Sequence, residues 1–313
     1  MMIETARPER IEASWSTQAQ AESRSLWNMN MHSVVAVVKS AKASWSGINV
    51  CVSDLVWRSV PAWHDVSSSA PVVHSILEEV GGRCELRAVP DEAAESEFYG
   101  PSAIGYVPAD VPAFIYSAQI REARLASFEF DLHAIERVAP GSAQRIALAA
   151  PRLMFSDARI RECASLLASE CAEPGNGARY GEGVAQSLLA SVLDAITNRA
   201  PQGRHLSRQQ FAAVEKFIDE RLKETVSVED IAATTELSPA TFSRAFSRST
   251  GSSPQRWHMQ ARVRRAQRLM IDNRSHSLAD IAAMTGFADP SHFSRTFSQI
   301  IGTTPREWLR KRS

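Results

Sequence analysis

The chain has 313 residues, room for about two ordinary domains, and its 44% hydrophobic and 22% charged residues are those of a globular protein, which excludes a disordered or fibrous chain. Its formal charge of +0 hides a split: residues 205–313 hold 17 Lys or Arg against 11 Asp or Glu, an excess of +6, and the preceding residues carry the opposite −6, so only the C-terminal part suits a polyanion. The cysteines Cys51, Cys84, Cys163 and Cys171 contain no C-x-x-C pair and the longest apolar run, residues 34–38, is too short to cross a bilayer, so zinc ribbons, redox disulfides and membrane spans are excluded and reduced thiols in a cytoplasmic protein are expected.

In chain order, residues 1–30 are polar, rich in Glu, Ser and Gln, and are expected to form a loosely ordered lead-in. From His32 to Asp131 short β-branched and aromatic stretches, such as residues 34–38, 48–52 and 54–57, alternate with Gly, Pro and Ser, the rhythm of an antiparallel β domain. Residues 102–116 read as strand, tight turn, strand, because Pro108 and Pro112 fix φ and cannot sit inside a central strand. Two helices follow. The first, 156–170, aligns Ile160, Cys163, Ala164 and Leu167 on one face. A Pro-Gly-Asn-Gly break at 174–177 separates it from the second, 183–198, which aligns Val184, Leu188, Ser191, Val192, Ala195 and Ile196. Packing onto the β domain and dimerisation both need such a stripe, so a homodimer stays open alongside intramolecular packing. Residues 200–204 read as an interdomain linker between a domain at 31–200 and another at 205–313.

The C-terminal third contains one pattern twice. Ser227-Val-Glu-Asp-Ile-Ala-Ala233 returns as Ser277-Leu-Ala-Asp-Ile-Ala-Ala283, and Phe242-Ser-Arg-Ala-Phe-Ser247 as Phe293-Ser-Arg-Thr-Phe-Ser298; Gly251, Pro254 and Trp257 answer to Gly302, Pro305 and Trp308. Each copy predicts a helix-turn-helix, at 227–249 and 277–300. Ser227 with Asp230 three residues on is a capping-box-like start, and Ile231-Ala-Ala lets a second helix approach closely. Ser238 caps that second helix with Pro239 at its first position, where a missing N–H costs nothing. Phe242 and Phe246, four residues apart, face inward and turn Ala240, Thr241, Ser243, Arg244, Ser247 and Arg248 outward. In the second copy Asp289 is the cap, Pro290 the first residue, Phe293 and Phe297 inward, and Ser291, Ser294, Arg295 and Ser298 outward.

Small outward side chains let a helix backbone approach base edges, and an arginine can pair bidentately with guanine. The residues between the copies, 254–273, predict a helix of roughly 30 Å, close to the ~34 Å between successive major-groove faces. Its Arg262, Arg264, Arg265 and Arg268 suit phosphate contact, and Arg248, Arg262, Arg264 and Arg265 are the candidates for that role.

With these residues assembled, the chain resembles the AraC/XylS family of transcription regulators, over about residues 205–313. Gly286-Phe-Ala-Asp-Pro-Ser-His-Phe-Ser-Arg-Thr-Phe297, followed by Gly302-Thr-Thr-Pro-Arg-Glu-Trp308, carries the resemblance. It implies recognition helices at about 239–249 and 290–300 in successive major grooves, base contacts from Ala240, Ser243, Arg244, Pro290, Ser291, Ser294 and Arg295, and RNA polymerase as a partner at a promoter operator. The acidic part is similar to the cupin-like regulatory domain found upstream in such proteins, through the Tyr106-Val-Pro-Ala-Asp-Val-Pro112 stretch. That implies a small-molecule effector or a dimer. Trp57, Arg58, Trp63, His64, Tyr106, Phe114 and Tyr116 are the candidates for an effector pocket, with aromatic walls and few polar groups.

The expected fold is α+β in two domains: a cupin-like antiparallel β domain with trailing helices, then an all-α double helix-turn-helix. The expected function is an effector-responsive activator, with no enzyme activity, metal or cofactor. A catalytic cupin tethered to DNA is disfavoured because no H-x-H pair with a following Glu is present. An effector-independent DNA-binding protein is the remaining alternative.

Overall fold

A computed structural model describes residues 34–89, 96, 98–147, 149–173, 175, 178–197, 205–272 and 275–312. The expected lead-in at 1–30, the linker at 200–204 and most of the 174–177 break lie outside the described residues.

Two antiparallel sheets form the N-terminal part. The larger has the order β1 (Val35–Trp45), β2 (Ile48–Trp57), β8 (Glu122–Phe130), β4 (Val72–Val80), β6 (Ile104–Val107), β9 (Arg152–Phe155); the smaller is β3 (Ala62–Asp65), β7 (Phe114–Ser117), β5 (Glu85–Arg87). The hairpin between β1 and β2 is closed by Ser46 and Gly47, with φ of 47° and 77°, the left-handed pair that matches strand twist in a two-residue turn. Segments 48–52 and 54–57 are one strand, β2, without a break.

The alternation of β2 sorts its residues between two cores. Ile48, Val50 and Val52 point to one face, while Leu55 and Trp57 point to the other, between the sheets. The first face is covered by α1 (Leu132–Val138), α2 (Ser142–Ala147), α3 (Ala158–Ala172) and α4 (Ala178–Thr197). Ile160, Ala164 and Leu167 of α3 and Leu188 and Val192 of α4 are buried there. The stripes on these two helices therefore pack onto the β sheet of their own chain.

The strand, turn, strand expected at 102–116 exists as β6 and β7 but is no hairpin: β6 pairs with β4 and β9, β7 with β3 and β5. Pro108 and Pro112 bracket a link that turns at Asp110, whose φ is 58°. Without N–H groups at either proline, that link cannot extend a ladder between the two strands. The chain instead steps from one sheet to the other.

The C-terminal part is all helical: α5 (Arg208–Glu220), α6 (Val228–Ala233), α7 (Pro239–Thr250), α8 (Pro254–Asp272), α9 (Leu278–Met284), α10 (Pro290–Ile301) and α11 (Pro305–Arg310). It has two cores along α8. The first gathers Phe211, Val214, Ile218, Ile231, Phe242, Phe246 and Trp257, the second Val263, Met270, Ile281, Phe287, Phe293, Phe297 and Trp308. Each also admits one residue from the β part. Tyr99 enters the first, stacking on Phe211 at 4.3 Å between ring centres, and Val80 enters the second. The architecture is thus the α+β arrangement expected, an antiparallel β region followed by a helical one.

Candidate nucleic-acid interface

Both short first helices start as capping boxes. The backbone N–H of Asp230 donates to Ser227 Oγ at 3.1 Å, and the N–H of Ser227 donates back to Asp230 Oδ2 at 3.1 Å; Ser277 and Asp280 repeat the exchange at 3.1 and 3.0 Å. These bonds satisfy N–H groups that a helix start leaves open. They hold the carboxyls of Asp230 and Asp280 below their ordinary range, the serine hydroxyl being the first cause.

The turns then need a left-handed residue at equivalent places, Glu236 with φ 58° and Gly286 with φ 78°. A β-carbon at Gly286 would lie 2.6 Å from Lys223 Cα, so the second copy requires glycine on two grounds. Buried Thr235 and Thr285 turn their hydroxyls back onto Ala232 and Ile281 carbonyls.

The second helices, α7 and α10, begin at Ser238 and Asp289, with Pro239 and Pro290 in first position. Asp289 accepts from the N–H of His292 at 2.8 Å. Each helix ends on a left-handed glycine, Gly251 (φ 68°) and Gly302 (φ 85°). Phe242, Phe246, Phe293 and Phe297 are fully buried, Phe246 and Phe297 meeting Trp257 and Trp308 edge-on at 5.8 and 5.7 Å.

That inward anchoring leaves the opposite faces open. Ala240, Arg244, Pro290, Ser291 and Arg295 are exposed, with Ser243 and Ser294 half-buried. All seven residues expected to touch bases therefore lie on the outward faces of α7 and α10. Arg248 on α7 and Arg265 on α8 are exposed as well.

Two expected phosphate contacts are corrected. Arg262 is only 8% exposed and its guanidinium is consumed by three backbone carbonyls, those of Leu222 (2.7 Å), Gly286 (2.7 Å) and Glu224 (2.8 Å). It ties α8 to the segment that follows α5 and to the turn of the second helix-turn-helix, and burial draws its pKa down. Arg264 is half-buried over the Trp257 ring, 5.0 Å from its centre, and faces Arg83 and Glu79 of the β region. A helix packed on several sides cannot present all its arginines to one polyanion. Arg268 likewise turns away, donating to Gly81 O at 2.7 Å and to Gln119.

The expected effector pocket does not form as one site. Trp57 is buried between the sheets and Tyr106 beneath the helices, where its hydroxyl donates to Ile146 O. His64 is buried; Arg58 is exposed; Trp63, 39% exposed, meets Phe114 edge-on at 5.1 Å on the small sheet. Trp63, Phe114 and Tyr116 share one face of the small sheet, Trp63 pairing with Tyr116 in register, whereas Trp57 and Tyr106 enter different cores, so the seven residues are not gathered. Tyr116, under the Arg87 guanidinium at 3.4 Å, does line a cleft, one between the β region and the helical region.

Sequence reasoning missed the contacts between these regions. Arg83 pairs with Glu215, Arg121 with Asp272 at 2.7 Å, and Arg312 with both Glu78 and Glu122 at 2.7 Å. Residues so far apart in the chain leave no periodic signal. Among the described residues, no helix is long and apolar enough to cross a membrane and no group of three His, Cys, Asp or Glu could hold a metal ion.

Residues 231–311 match the profile of a family described as a helix-turn-helix domain. The HTH-type transcriptional activator RhaS of Escherichia fergusonii is 36% identical over 91 residues, 29% of this chain and 32% of RhaS. The transcriptional activator NphR of a Rhodococcus species is 29% identical over 136 residues, 41% of this chain and 40% of NphR. Among solved structures, a transcriptional regulator with an AraC-type DNA-binding domain from Chromobacterium violaceum is 27% identical, covering 33% of this chain and 92% of that one, with a TM-score of 0.31. The chain spans less than two thirds of the length of the curated relatives it matches.

Proposed function

We propose that the chain, whose residues 231–311 match a helix-turn-helix family profile, is a sequence-specific DNA-binding transcription regulator of the AraC type, an activator whose β region responds to a small effector. The domains are residues 31–200 and 205–313. The observation that carries this reading is the pair of outward faces on α7 and α10, small and polar with one central arginine each, held out by fully buried phenylalanines. Helices α7 and α10 enter successive major grooves, with α8 as the rigid spacer. Arg244 and Arg295 each take a guanine edge, Ala240, Ser243, Pro290, Ser291 and Ser294 form the close-fitting remainder, and Arg248 and Arg265 meet phosphates. RNA polymerase is the partner through which an activator of this kind acts.

The test is genome-wide binding of the purified full-length chain to fragmented DNA of its source at physiological salt, beside an Arg244→Ala/Arg295→Ala double variant. A motif of two half-boxes about one helical turn apart, lost in the variant, is the expected result. Equal and diffuse binding by both proteins would overturn the assignment.

A further inference from the structure

Phe98, Tyr99 and Gly100 precede β6 in the β region, and the two aromatics part company there. Phe98 turns into the core between the sheets, its N–H donating to Met154 O of β9 at 2.8 Å. Tyr99, only 3% exposed, turns into the first helical core. Its N–H donates to Ser249 O at 2.6 Å, in the last turn of α7. A helix leaves its final carbonyls without an internal donor, so the β region supplies one that α7 cannot. The Tyr99 ring stacks on Phe211 of α5 at 4.3 Å, with 7° between the ring planes. Phe211 meets Trp257 edge-on at 5.8 Å, and Trp257 meets Phe246 edge-on at 5.8 Å. A run of rings thus links Tyr99 to a phenylalanine that fixes which face α7 turns outward. Arg83 closes the set: its guanidinium donates to the Tyr99 carbonyl, pairs with Glu215 of α5 and lies over Phe211 and Trp257 at 5.1 and 5.0 Å.

The end of α7 is shaped to receive this segment and the end of α10 is not. The first copy closes on Ser249-Thr250-Gly251, the second on Ile300-Ile301-Gly302. Ser249 and Thr250 are buried; Ser249 Oγ accepts the Leu206 N–H at 2.9 Å, and the Thr250 hydroxyl turns back to Phe246 O at 2.9 Å. A β-carbon on Gly251 would stand 3.5 Å from the Phe98 ring, and one on Gly100 would run into the Thr250 carbonyl oxygen. Glycine at 100 is therefore what lets the two backbones approach. Around Gly302, the counterpart of Gly251, nothing lies within 4 Å of the same position.

We infer that Tyr99 is a positioning residue for the first reading helix: through the Ser249 carbonyl and the Phe211 stack, the β region sets how α7 is presented to DNA and leaves α10 untouched. The two half-boxes then differ in kind. Reading by α7 depends on the β region, whereas α10 ends free of this contact. The inference rests on the DNA-reading assignment given above.

The test uses the full-length protein and a duplex carrying the motif recovered from genomic fragments, with each half-box scrambled in turn. The α7 half-box is the one at which Arg244→Ala, and not Arg295→Ala, relaxes the base preference. Tyr99→Ala is expected to weaken binding to the intact duplex about tenfold. The same loss is expected when the α10 half-box is scrambled, and none when the α7 half-box is. Tyr99→Phe, which keeps the stack and the N–H, is expected to bind as wild type does. Gly100→Ala retains both aromatics but forces the segment off Thr250; it is expected to repeat the Tyr99→Ala pattern and covers the case in which that variant fails to fold. A merely structural role would lower binding at both half-boxes alike, and that result overturns the inference, as does a Tyr99→Phe protein that behaves like Tyr99→Ala. Specific binding by wild type that neither Tyr99→Ala nor Gly100→Ala alters overturns it alone; no specific binding by wild type overturns the DNA-reading assignment with it.

Discussion

The arginines of α7 and α10 and those of α8 belong to one module and meet opposite fates. Arg244 and Arg295 stand on the outward faces of helices anchored by paired phenylalanines and are exposed, whereas Arg262 is buried against three carbonyls one helix away. The difference teaches that a basic helix between two reading units is not thereby a DNA-contacting helix. What decides is how many sides of the helix the fold has covered. Helix α8 touches α5, α6, α7, α9 and α10, and also β4 of the β region, so arginine there serves first as a multi-armed donor.

The sharpest break of that comparison is Arg262→Met. With three carbonyls left without their donor, unfolding by urea is expected to show a loss of about 3 kcal/mol, while the salt slope of DNA binding stays as it was. A wild-type stability with a shallower salt slope would return Arg262 to the phosphate-binding set.

Acidification tests the β region against the helical one. His74 is buried, and burial lowers its pKa from 6.5 to about 4. The unfolded chain therefore takes up this proton at a higher pH than the folded one. The resulting stability is fully present above about 6.5 and is lost as pH falls toward 4, by as much as ~3 kcal/mol. His74→Gln is expected to flatten the fall in stability over this window, measured by urea titration across pH; an unchanged profile would remove His74 from the acid response.

Arg244→Ala and Arg295→Ala are expected to cost about 1 to 3 kcal/mol each on specific DNA and to relax one base position each, with thermal stability within about 0.5 kcal/mol of wild type. Competition binding against single-base operator variants reads this directly, and a uniform loss on random DNA would mean that the reading face is misassigned. The smallest effect belongs to Arg265→Ala. It is expected to weaken all sequences alike and to reduce the slope of log affinity against log salt by about 0.9; a sequence-dependent loss would move Arg265 into the base-reading set.

Much of the helical region was legible beforehand because its signals are local. The capping pairs Ser227 with Asp230 and Ser277 with Asp280 are three residues apart, and the Phe pairs are one turn apart, so each interaction closes within a window that a reader of the sequence sees whole. The trailing helices 158–172 and 178–197 were equally visible as stripes, though not their partner. Less of the β region could be foreseen. β6 and β7 lie within one short stretch yet join different sheets, and Trp57 and Tyr106 point into different cores, because strand neighbours are chosen by topology and each side chain's face by a parity that one bulge shifts.

By itself, then, the sequence determined the duplicated reading unit, its caps, its buried aromatics and the residues it turns outward, since a helix fixes its own faces through backbone bonds four residues long. Only the tertiary structure decided that Arg262 is a strut, that Arg264 faces a cleft and that Val80 and Tyr99 of the β region complete the two helical cores. Those outcomes depend on which distant segments come to cover a helix, and burial, not helical periodicity, sets whether a charged side chain meets water, a carbonyl or a ligand.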